Sequence, residues 1–267
     1  MSEDPALLRD EAAGVLTLTL NRPRRKNAIT RELWRALADA FTQIAETDTI
    51  RAVVLTGADG NFCSGADISE AEGMDEFPDP GEEMRAINAV VRQLHELPVP
   101  TIAKVRGVAA GAGWNLALGC DLVAAAEDAR FCQIFTRRAL SPDCGGSWLL
   151  PRLVGLQQAK RLTLLADTIG AAEAHSLGLV TWVRPEESID SFVAGVAGRL
   201  AAGPPRALAL TKELMNEGAD RTLPEALEGE MRAQTANLSG SDVLEAFAAF
   251  AQKRDPVFTG GSWGTGG

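Results

Sequence analysis

The sequence predicts an α/β fold followed by a helical C-terminal region. A half-buried strand, an amphipathic helix and a short apolar strand follow one another within residues 14–57, and such a unit is the building block of α/β folds. From Ile189 onward the pattern contains helical segments only. The 267 residues suffice for one large domain with or without an appendage, and 46% apolar with 23% charged residues is typical of a globular protein.

The first unit is defined by two different hydrophobic periods. Apolar and polar residues alternate between residues 14 and 20, which indicates a half-buried strand. Thr30 is a candidate N-cap, and the helix after it places apolar residues on one face: Leu33, Leu37, Ala40, Phe41 and Ile44. A short apolar run at 52–56 then predicts the next strand.

The middle of the chain alternates loops with short apolar segments. The acidic stretch 70–83 contains Pro78, Pro80 and Gly81, which predicts a surface loop or short helix. A helix is predicted from Glu82 to Glu96, and the prolines at 98 and 100 end it. Further strands are expected at 102–105, 122–126, 129–134 and 179–183, with helices beginning near Trp148 and spanning 156–166.

Four helices are predicted after the last strand, at 189–202, 205–217, 223–237 and 242–253. We divide the chain into a core at 1–195 that carries the site, a helical region at 196–258, and a tail at 259–267 that is predicted to be disordered.

Charge and composition argue against several classes of partner. A net charge of −10 disfavours nucleic acid, and no apolar run approaches the length of a membrane span. The N-terminus has no apolar signal core, so we expect a cytoplasmic protein. The four cysteines lack C-x-x-C spacing and are predicted to be free thiols, and two histidines do not suggest a metal site.

Residues 101–155 carry the pattern that suggests chemistry. A short strand meets Gly107, Gly111 and Gly113, and a helix-capable segment follows. Glycines let a backbone approach a ligand closely, and the first N–H groups of the helix could receive an oxyanion; the alternative is tight packing of strand on helix. Asp143 lies in the loop S-P-D-C-G-G-S. A carboxylate above an oxyanion site favours proton transfer beside a carbonyl.

Four blocks resemble the crotonase (enoyl-CoA hydratase/isomerase) superfamily along almost the whole chain: 20–28, 62–68, 107–121 and 247–258. The wording AAGAGWNLALGCD and SPDCGGSWLLPRLVG is most similar to the branch of phenylacetate-pathway isomerases, which act on ring-epoxide phenylacetyl-CoA and shift 3-enoyl-CoA double bonds. The resemblance implies a spiral of ββα units with a C-terminal helical trimerisation region. It also implies an acyl-CoA thioester substrate, no cofactor beyond that coenzyme A, and a homotrimer or hexamer.

The resemblance also assigns roles to individual positions. Two backbone N–H groups hold the thioester oxygen in this superfamily, and they match Ala66 and Ala112. The two glutamates of the hydratases match Asn115 and Phe135, so hydration in their manner is not expected, whereas Asp143 matches the acid of many isomerases. Asn115 would orient substrate or hydrogen-bond the loop, and Phe135 would line an apolar acyl pocket or belong to the core.

Further substrate contacts are implied at Arg25, Lys26, Ala28, Gly65, Asp67, Ile68, Gly111, Trp114, Phe250 and Lys253. The cations among them would offset the negative charge of coenzyme A in this acidic chain, although residues 22–26 also fit a solvated loop. Asp67 equally fits an ordinary N-cap. Met74, Phe77 and Trp148 are predicted to line the acyl pocket.

These roles imply an isomerase in which Asp143 removes a proton from the acyl chain and returns it at another carbon, moving a double bond from Δ3 to Δ2, or one that isomerises a ring epoxide. Two alternatives stay open. One is a hydratase or hydrolase with a non-standard acid. The other is a non-catalytic acyl-CoA binder, against which the retained Asp143 argues.

Overall fold

The structure, a computed structural model, describes residues 5–71 and 79–260. In these ranges the elements follow in the order β1 (Leu7–Ala12), β2 (Val15–Leu20), α1 (Arg31–Ala45), β3 (Ala52–Gly57), α2 (Pro80–Glu96), β4 (Thr101–Val105), β5 (Val108–Ala110), α3 (Ala112–Leu118), β6 (Leu122–Ala126), β7 (Arg130–Cys132), α4 (Gly146–Leu165), β8 (Thr168–Gly170), α5 (Ala171–Ser176), β9 (Trp182–Arg184), α6 (Ile189–Ala201), α7 (Pro205–Gly218), α8 (Leu223–Leu238) and α9 (Ser241–Gln252).

Two sheets organise the core. The larger has six strands in the order β1-β2-β3-β4-β6-β9, and all of its pairs are parallel except β1 with β2. The smaller has three strands in the order β5-β7-β8. The first five residues of β3 are buried, as expected for a central parallel strand covered on both faces. The predicted α/β class is confirmed.

Helices cover opposite faces of the large sheet. Leu55 of β3 belongs to the main core with the apolar face of α1, whereas Val54 belongs to a second cluster with Ile102, Val193 and Ala197. Because α6 supplies the last two of these residues, it packs on the sheet, and residue 195 lies inside this helix. The division at 195 into core and helical region stays a prediction.

Most predicted elements are present, with shifted ends. Thr30 caps α1, since its hydroxyl oxygen accepts the Leu33 N–H over 3.3 Å. Helix α2 begins two residues earlier than predicted, because Pro80 occupies its first turn and Asp79 accepts the Glu82 N–H over 2.9 Å. Two helices were predicted here, one beginning near Trp148 and one at 156–166. The break between them is confirmed at Gly155, whose φ of 73° and ψ of 161° interrupt α4.

Three differences have simple causes. Strand β1 was not predicted because it is a sheet-edge strand whose residues after Leu7 are exposed, so it lacks apolar alternation. The strand expected at 129–134 ends at Cys132, and the chain then enters a 3-10 helix at Ile134–Arg138. The strand expected at 179–183 is shifted to Trp182–Arg184, although Leu179 and Val180 are buried.

Asn27 fastens the turn between β2 and α1. Its side chain is fully buried, donates to the carbonyls of Ala58 and Asn61 over 2.9 and 2.7 Å, and accepts the Arg22 N–H over 2.9 Å. Its φ is 55°, in the left-handed region that asparagine tolerates better than most residues.

We therefore expect Asn27→Ala to lower the free energy of unfolding by about 2–3 kcal/mol, because it leaves buried polar groups unpaired. Urea unfolding measures the change. Asn21→Ala is the control, since the Asn21 amide makes one exposed hydrogen bond, to the Pro5 carbonyl at 3.0 Å. Equal losses in the two variants would contradict this account.

Within residues 5–71 and 79–260, no helix is both long and apolar enough to cross a membrane.

Candidate active site

Two loops meet where the sequence places the oxyanion site. The Cys63 N–H donates to the Val108 carbonyl and the Ala110 N–H donates to the Cys63 carbonyl, both over 2.9 Å. A Cβ added to Gly65 would lie 3.0 Å from the Ala110 oxygen and 3.9 Å from the Ala112 nitrogen. Gly65 therefore lets its loop approach the Ala110 carbonyl closely. It also adopts a φ of 100°, which is strained for residues with a side chain.

The predicted donors, Ala66 and Ala112, lie on these two loops. Ala112 is the first residue of α3, so its N–H is among those that a helix leaves without an internal partner. On the other loop, Ile29 accepts the Asp67 N–H and donates to the Gly65 carbonyl, and this ladder bypasses the Ala66 N–H. Two such donors on neighbouring loops can stabilise an oxyanion.

Asp143 lies in the loop before α4 and is partly buried. Its Oδ1 atom is buried and has no hydrogen-bond partner among the described residues. Burial raises the pKa of this carboxyl, while the neighbouring Cys144 thiol and the residue's own N–H lower it by less. The backbone carbonyl of Asp143 accepts the Asn115 side-chain amide at 2.8 Å and the Gly146 N–H at 2.9 Å.

Asn115 thus hydrogen-bonds the Asp143 loop, which is one of the two roles suggested by the sequence. Its Oδ1 accepts the side-chain N–H of Gln133 over 2.8 Å, and both side chains are fully buried. Gln133 was not predicted as a site residue. The available signal was its polarity within an apolar run, since Phe131 and Cys132 precede it and Ile134 and Phe135 follow it.

Three aromatic side chains predicted to line the acyl pocket lie in different surroundings. A Cβ added to Gly111 would lie 3.6 Å from the ring of buried Phe135, so this ring is close to the Ala112 donor. The Trp114 ring is fully buried and packs on Phe131 at a centroid distance of 5.3 Å, which places it in the core behind the site. Trp148 packs on His95 at 5.4 Å.

The Arg22 guanidinium connects the loop after β2 to the loop that carries Ala66, through an ion pair with Asp67 at 2.7 Å. Burial opposes ionisation of Asp67, but hydrogen bonds from Ser69 and Arg22 outweigh it and lower its pKa. Asp67 also accepts the Ser69 N–H over 3.1 Å, as its capping interpretation requires. The neighbouring Ile68 is exposed.

The remaining predicted contacts are distributed over two regions. Arg25 and Lys26 are exposed and Ala28 is buried. The Arg25 carbonyl accepts the Ser64 hydroxyl over 3.1 Å, and the Lys26 carbonyl accepts the Ser64 N–H over 3.0 Å. These two hydrogen bonds fix the loop that leads to Ala66.

The C-terminal residues of the predicted set belong to α9 and its end. Phe250 is 87% exposed, and Lys253 follows α9 as an exposed, left-handed C-cap. Met74 and Phe77 lie outside the described residues.

The Cys144 thiol is buried beside Asp143, and burial together with that carboxylate raises its pKa. A thiol held in the protonated form is a poor nucleophile, which argues against a nucleophilic role for Cys144. All four cysteines are free, as predicted.

The raised pKa of Asp143 makes stability depend on pH. Because the pKa is higher in the folded state than in the unfolded state, the carboxyl's contribution is complete below its unfolded pKa and is lost as pH rises through the folded pKa. We therefore expect the melting temperature of Asp143→Asn to rise relative to wild type as the pH increases from 4 to 8. Asp39→Asn, on the exposed part of α1, controls for the change in net charge. A difference that is independent of pH would contradict the raised pKa.

The family of the chain follows from comparison with known proteins. Residues 10–261 match the Enoyl-CoA hydratase/isomerase family. The chain is 41% identical over 250 residues to the 1,2-epoxyphenylacetyl-CoA isomerase of Escherichia coli K12, covering 92% of this chain and 95% of the relative. It is 39% identical over 249 residues to a Rhodobacter capsulatus protein named "Probable enoyl-CoA hydratase", with the same coverage.

Among solved structures, an enoyl-CoA hydratase from Bacillus anthracis superimposes with a TM-score of 0.92 at 35% identity, covering 96% of this chain and 99% of that one. These matches extend over both the sheet and the C-terminal helices. The chain is therefore an enzyme of the enoyl-CoA hydratase/isomerase family, within the crotonase superfamily.

Proposed function

We propose that the protein is an acyl-CoA isomerase that uses Asp143 as its acid and base. The observation that carries the proposal is the buried, unpartnered Oδ1 atom of Asp143 on a loop bonded to Asn115. At the positions of the two hydratase glutamates the chain has the neutral side chains of Asn115 and Phe135. One carboxylate is sufficient for an isomerase, because the same group accepts a proton at one carbon and returns it at another.

In the proposed reaction the thioester oxygen accepts hydrogen bonds from the N–H groups of Ala66 and Ala112. Asp143 then removes an α- or γ-proton, and the negative charge of the resulting dienolate is stabilised on that oxygen. Protonation of the other carbon by Asp143 completes the shift of the double bond. No cofactor beyond the coenzyme A of the substrate is needed, since no electrons leave the acyl group.

The acyl group is proposed to be apolar or aromatic. Phe135 replaces a charged side chain beside Gly111, and its buried ring makes this part of the site apolar. An apolar surrounding also limits access of water, and water would convert a bound enoyl thioester to the hydrated side product. The similarity to the Escherichia coli isomerase favours the epoxide of phenylacetyl-CoA, and thus phenylacetate breakdown, beside 3-enoyl-CoA esters.

The test compares two reactions of the wild-type enzyme. A 3-enoyl-CoA is followed by the absorbance of the conjugated 2-enoyl product, and crotonyl-CoA is followed by loss of that absorbance on hydration. We expect isomerisation to be fast and hydration slow; the epoxide of phenylacetyl-CoA is then assayed as the third substrate. Hydration at a rate equal to isomerisation would contradict the proposal.

Hydration remains the second candidate, because the Rhodobacter capsulatus relative carries a hydratase name. Asp143 would then be the single acid that activates water, and Asp143→Asn would abolish hydration. Tight binding of acyl-CoA esters without any turnover would instead identify a non-catalytic binder.

We also propose that the chain assembles into a trimer or a hexamer. Large apolar side chains of α8 and α9 are exposed in the single chain: Leu227, Met231, Leu244, Phe247 and Phe250. Such a surface usually marks an interface, and association would bring Phe250 and Lys253 to the coenzyme A of a neighbouring subunit. Light scattering on the eluting protein gives the subunit number, and a monomer would contradict this proposal.

The proposed location is the cytoplasm. The four free thiols, all buried, suit a reducing compartment. Fractionation of cells that produce the protein at its natural level tests the location.

A further inference from the structure

We infer that Gln133 is a positioning residue that holds the Asp143 loop through the side-chain amide of Asn115, a role that rests on the isomerase function proposed above. Gln133 Nε2 donates to Asn115 Oδ1 over 2.8 Å. Asn115 Nδ2 in turn donates to the backbone carbonyl of Asp143 over 2.8 Å. The two bonds connect the end of β7, the helix α3 and the loop before α4.

The Gln133 donor fixes which end of the Asn115 amide faces the loop. An amide has a donor end and an acceptor end, and a half-turn of the Asn115 side chain would oppose N–H to N–H at Gln133 and oxygen to oxygen at Asp143. Both amide side chains are fully buried, so water cannot replace either bond. Gln133 therefore keeps the Asn115 donor directed at the Asp143 carbonyl.

Gly146 restricts movement of the Asn115 amide, which links Gln133 to the Asp143 carbonyl. A Cβ added at Gly146 would lie 2.4 Å from Asn115 Nδ2 and 2.9 Å from its Oδ1. The Gly146 N–H also donates to the Asp143 carbonyl, over 2.9 Å. Two donors from different elements thus converge on the carbonyl of the residue whose carboxyl moves the proton, and small displacements of such groups have large effects on rate.

The Gln133 side chain contains one polar atom whose burial costs stability. Its Oε1 atom is buried and has no hydrogen-bond partner among the described residues. A buried amide that uses only its donor forfeits part of its hydrogen bonding, which apolar packing would avoid. The N–H that Gln133 donates to Asn115 therefore explains why this position has an amide and not an apolar side chain.

Gln133→Met tests the inference, because methionine keeps the length of the side chain and removes the donor. We expect kcat for 3-enoyl-CoA to fall on the order of 10²-fold, with KM changed by less than about threefold, since the loss affects the proton transfer rather than ground-state binding. Asn115→Leu should lower kcat similarly. The double variant should lose no more than the single ones, because Gln133 acts only through Asn115.

Thr101→Val is the matched control. Thr101 is fully buried at the start of β4, and its hydroxyl donates to Asp121 and accepts the Asp121 N–H, both over 2.9 Å. We expect this variant to lose thermal stability and to keep the wild-type kcat. A purely structural Gln133 would behave in the same way.

Gln133→Glu is a second variant in case the methionine variant does not fold. When ionised, the introduced carboxyl cannot donate to Asn115, whereas its protonated form can. Burial raises the pKa of such a group, while Asp143 must still be ionised to act as a base. We therefore expect kcat of this variant to pass through a maximum and to fall at higher pH as the introduced carboxyl ionises, whereas the wild-type kcat stays constant there.

The outcomes separate this inference from the proposed function. Wild-type kcat in Gln133→Met, or additive losses in the double variant, would overturn the inference while an inactive Asp143→Asn leaves the isomerase assignment in place. A fully active Asp143→Asn, or a wild type that isomerises neither substrate, would overturn both.

Discussion

Replacing Asp143 by asparagine is expected to slow the conversion of a 3-enoyl-CoA about 10²- to 10⁴-fold, the range typical of a positioned acid or base. Asparagine keeps the shape of the side chain and its amide cannot accept the proton. The loss should appear in kcat, with KM close to wild type, because the carboxylate acts mainly when the proton is in transit. The initial rate at saturating substrate measures the effect.

The same substitution gives a diagnostic pH profile. Because burial raises the pKa of Asp143, the wild-type kcat/KM should fall as the pH decreases toward that raised pKa, and this limb should be absent from the residual activity of the variant. Asp39→Asn has the same change in net charge on the exposed part of α1 and should leave the profile unchanged. An Asp143→Asn variant with wild-type turnover would show that another group moves the proton.

The sequence predicted elements best where period and burial agree. The face of α1 and the strand β2 follow their hydrophobic patterns closely, because each buries one apolar face in the main core. The four C-terminal helices begin and end within one residue of their predicted bounds. Strand β1 escaped prediction because pairing with β2 stabilises an edge strand whose own side chains are exposed. No local pattern encodes that pairing.

In the candidate site, too, local sequence patterns do not show which residues lie close together. Gly65 and Ala112 could be placed in facing loops only by family resemblance, since their proximity depends on the ladder between Cys63 and Ala109. Residues 115 and 133 are 18 positions apart, and they meet because β7 pairs with β5, the strand that leads into α3, and the Gly111 N–H donates to the Cys132 carbonyl over 2.9 Å. Physical pattern alone therefore locates the glycine-rich turn and the carboxylate, while tertiary contacts identify the residues that position them.

Ala112→Pro is expected to lower kcat about 10²- to 10³-fold, the cost typical of removing one oxyanion donor. Proline has no N–H, and its ring would occupy the space in front of the missing donor. Its backbone fits this position, because Ala112 is the first residue of α3, where proline is well tolerated. The preceding Gly111 has no side chain to meet the proline ring.

Ser241→Pro is the matched control, since Ser241 is the exposed first residue of α9 and follows a glycine as well. It should keep wild-type turnover, which would separate loss of the donor from the general effect of proline at a helix start. Circular dichroism and the melting temperature establish that both variants fold. If folded Ala112→Pro retained turnover within a few-fold of wild type, the thioester oxygen would not be bound at the Ala112 N–H, and the dienolate would need a different donor.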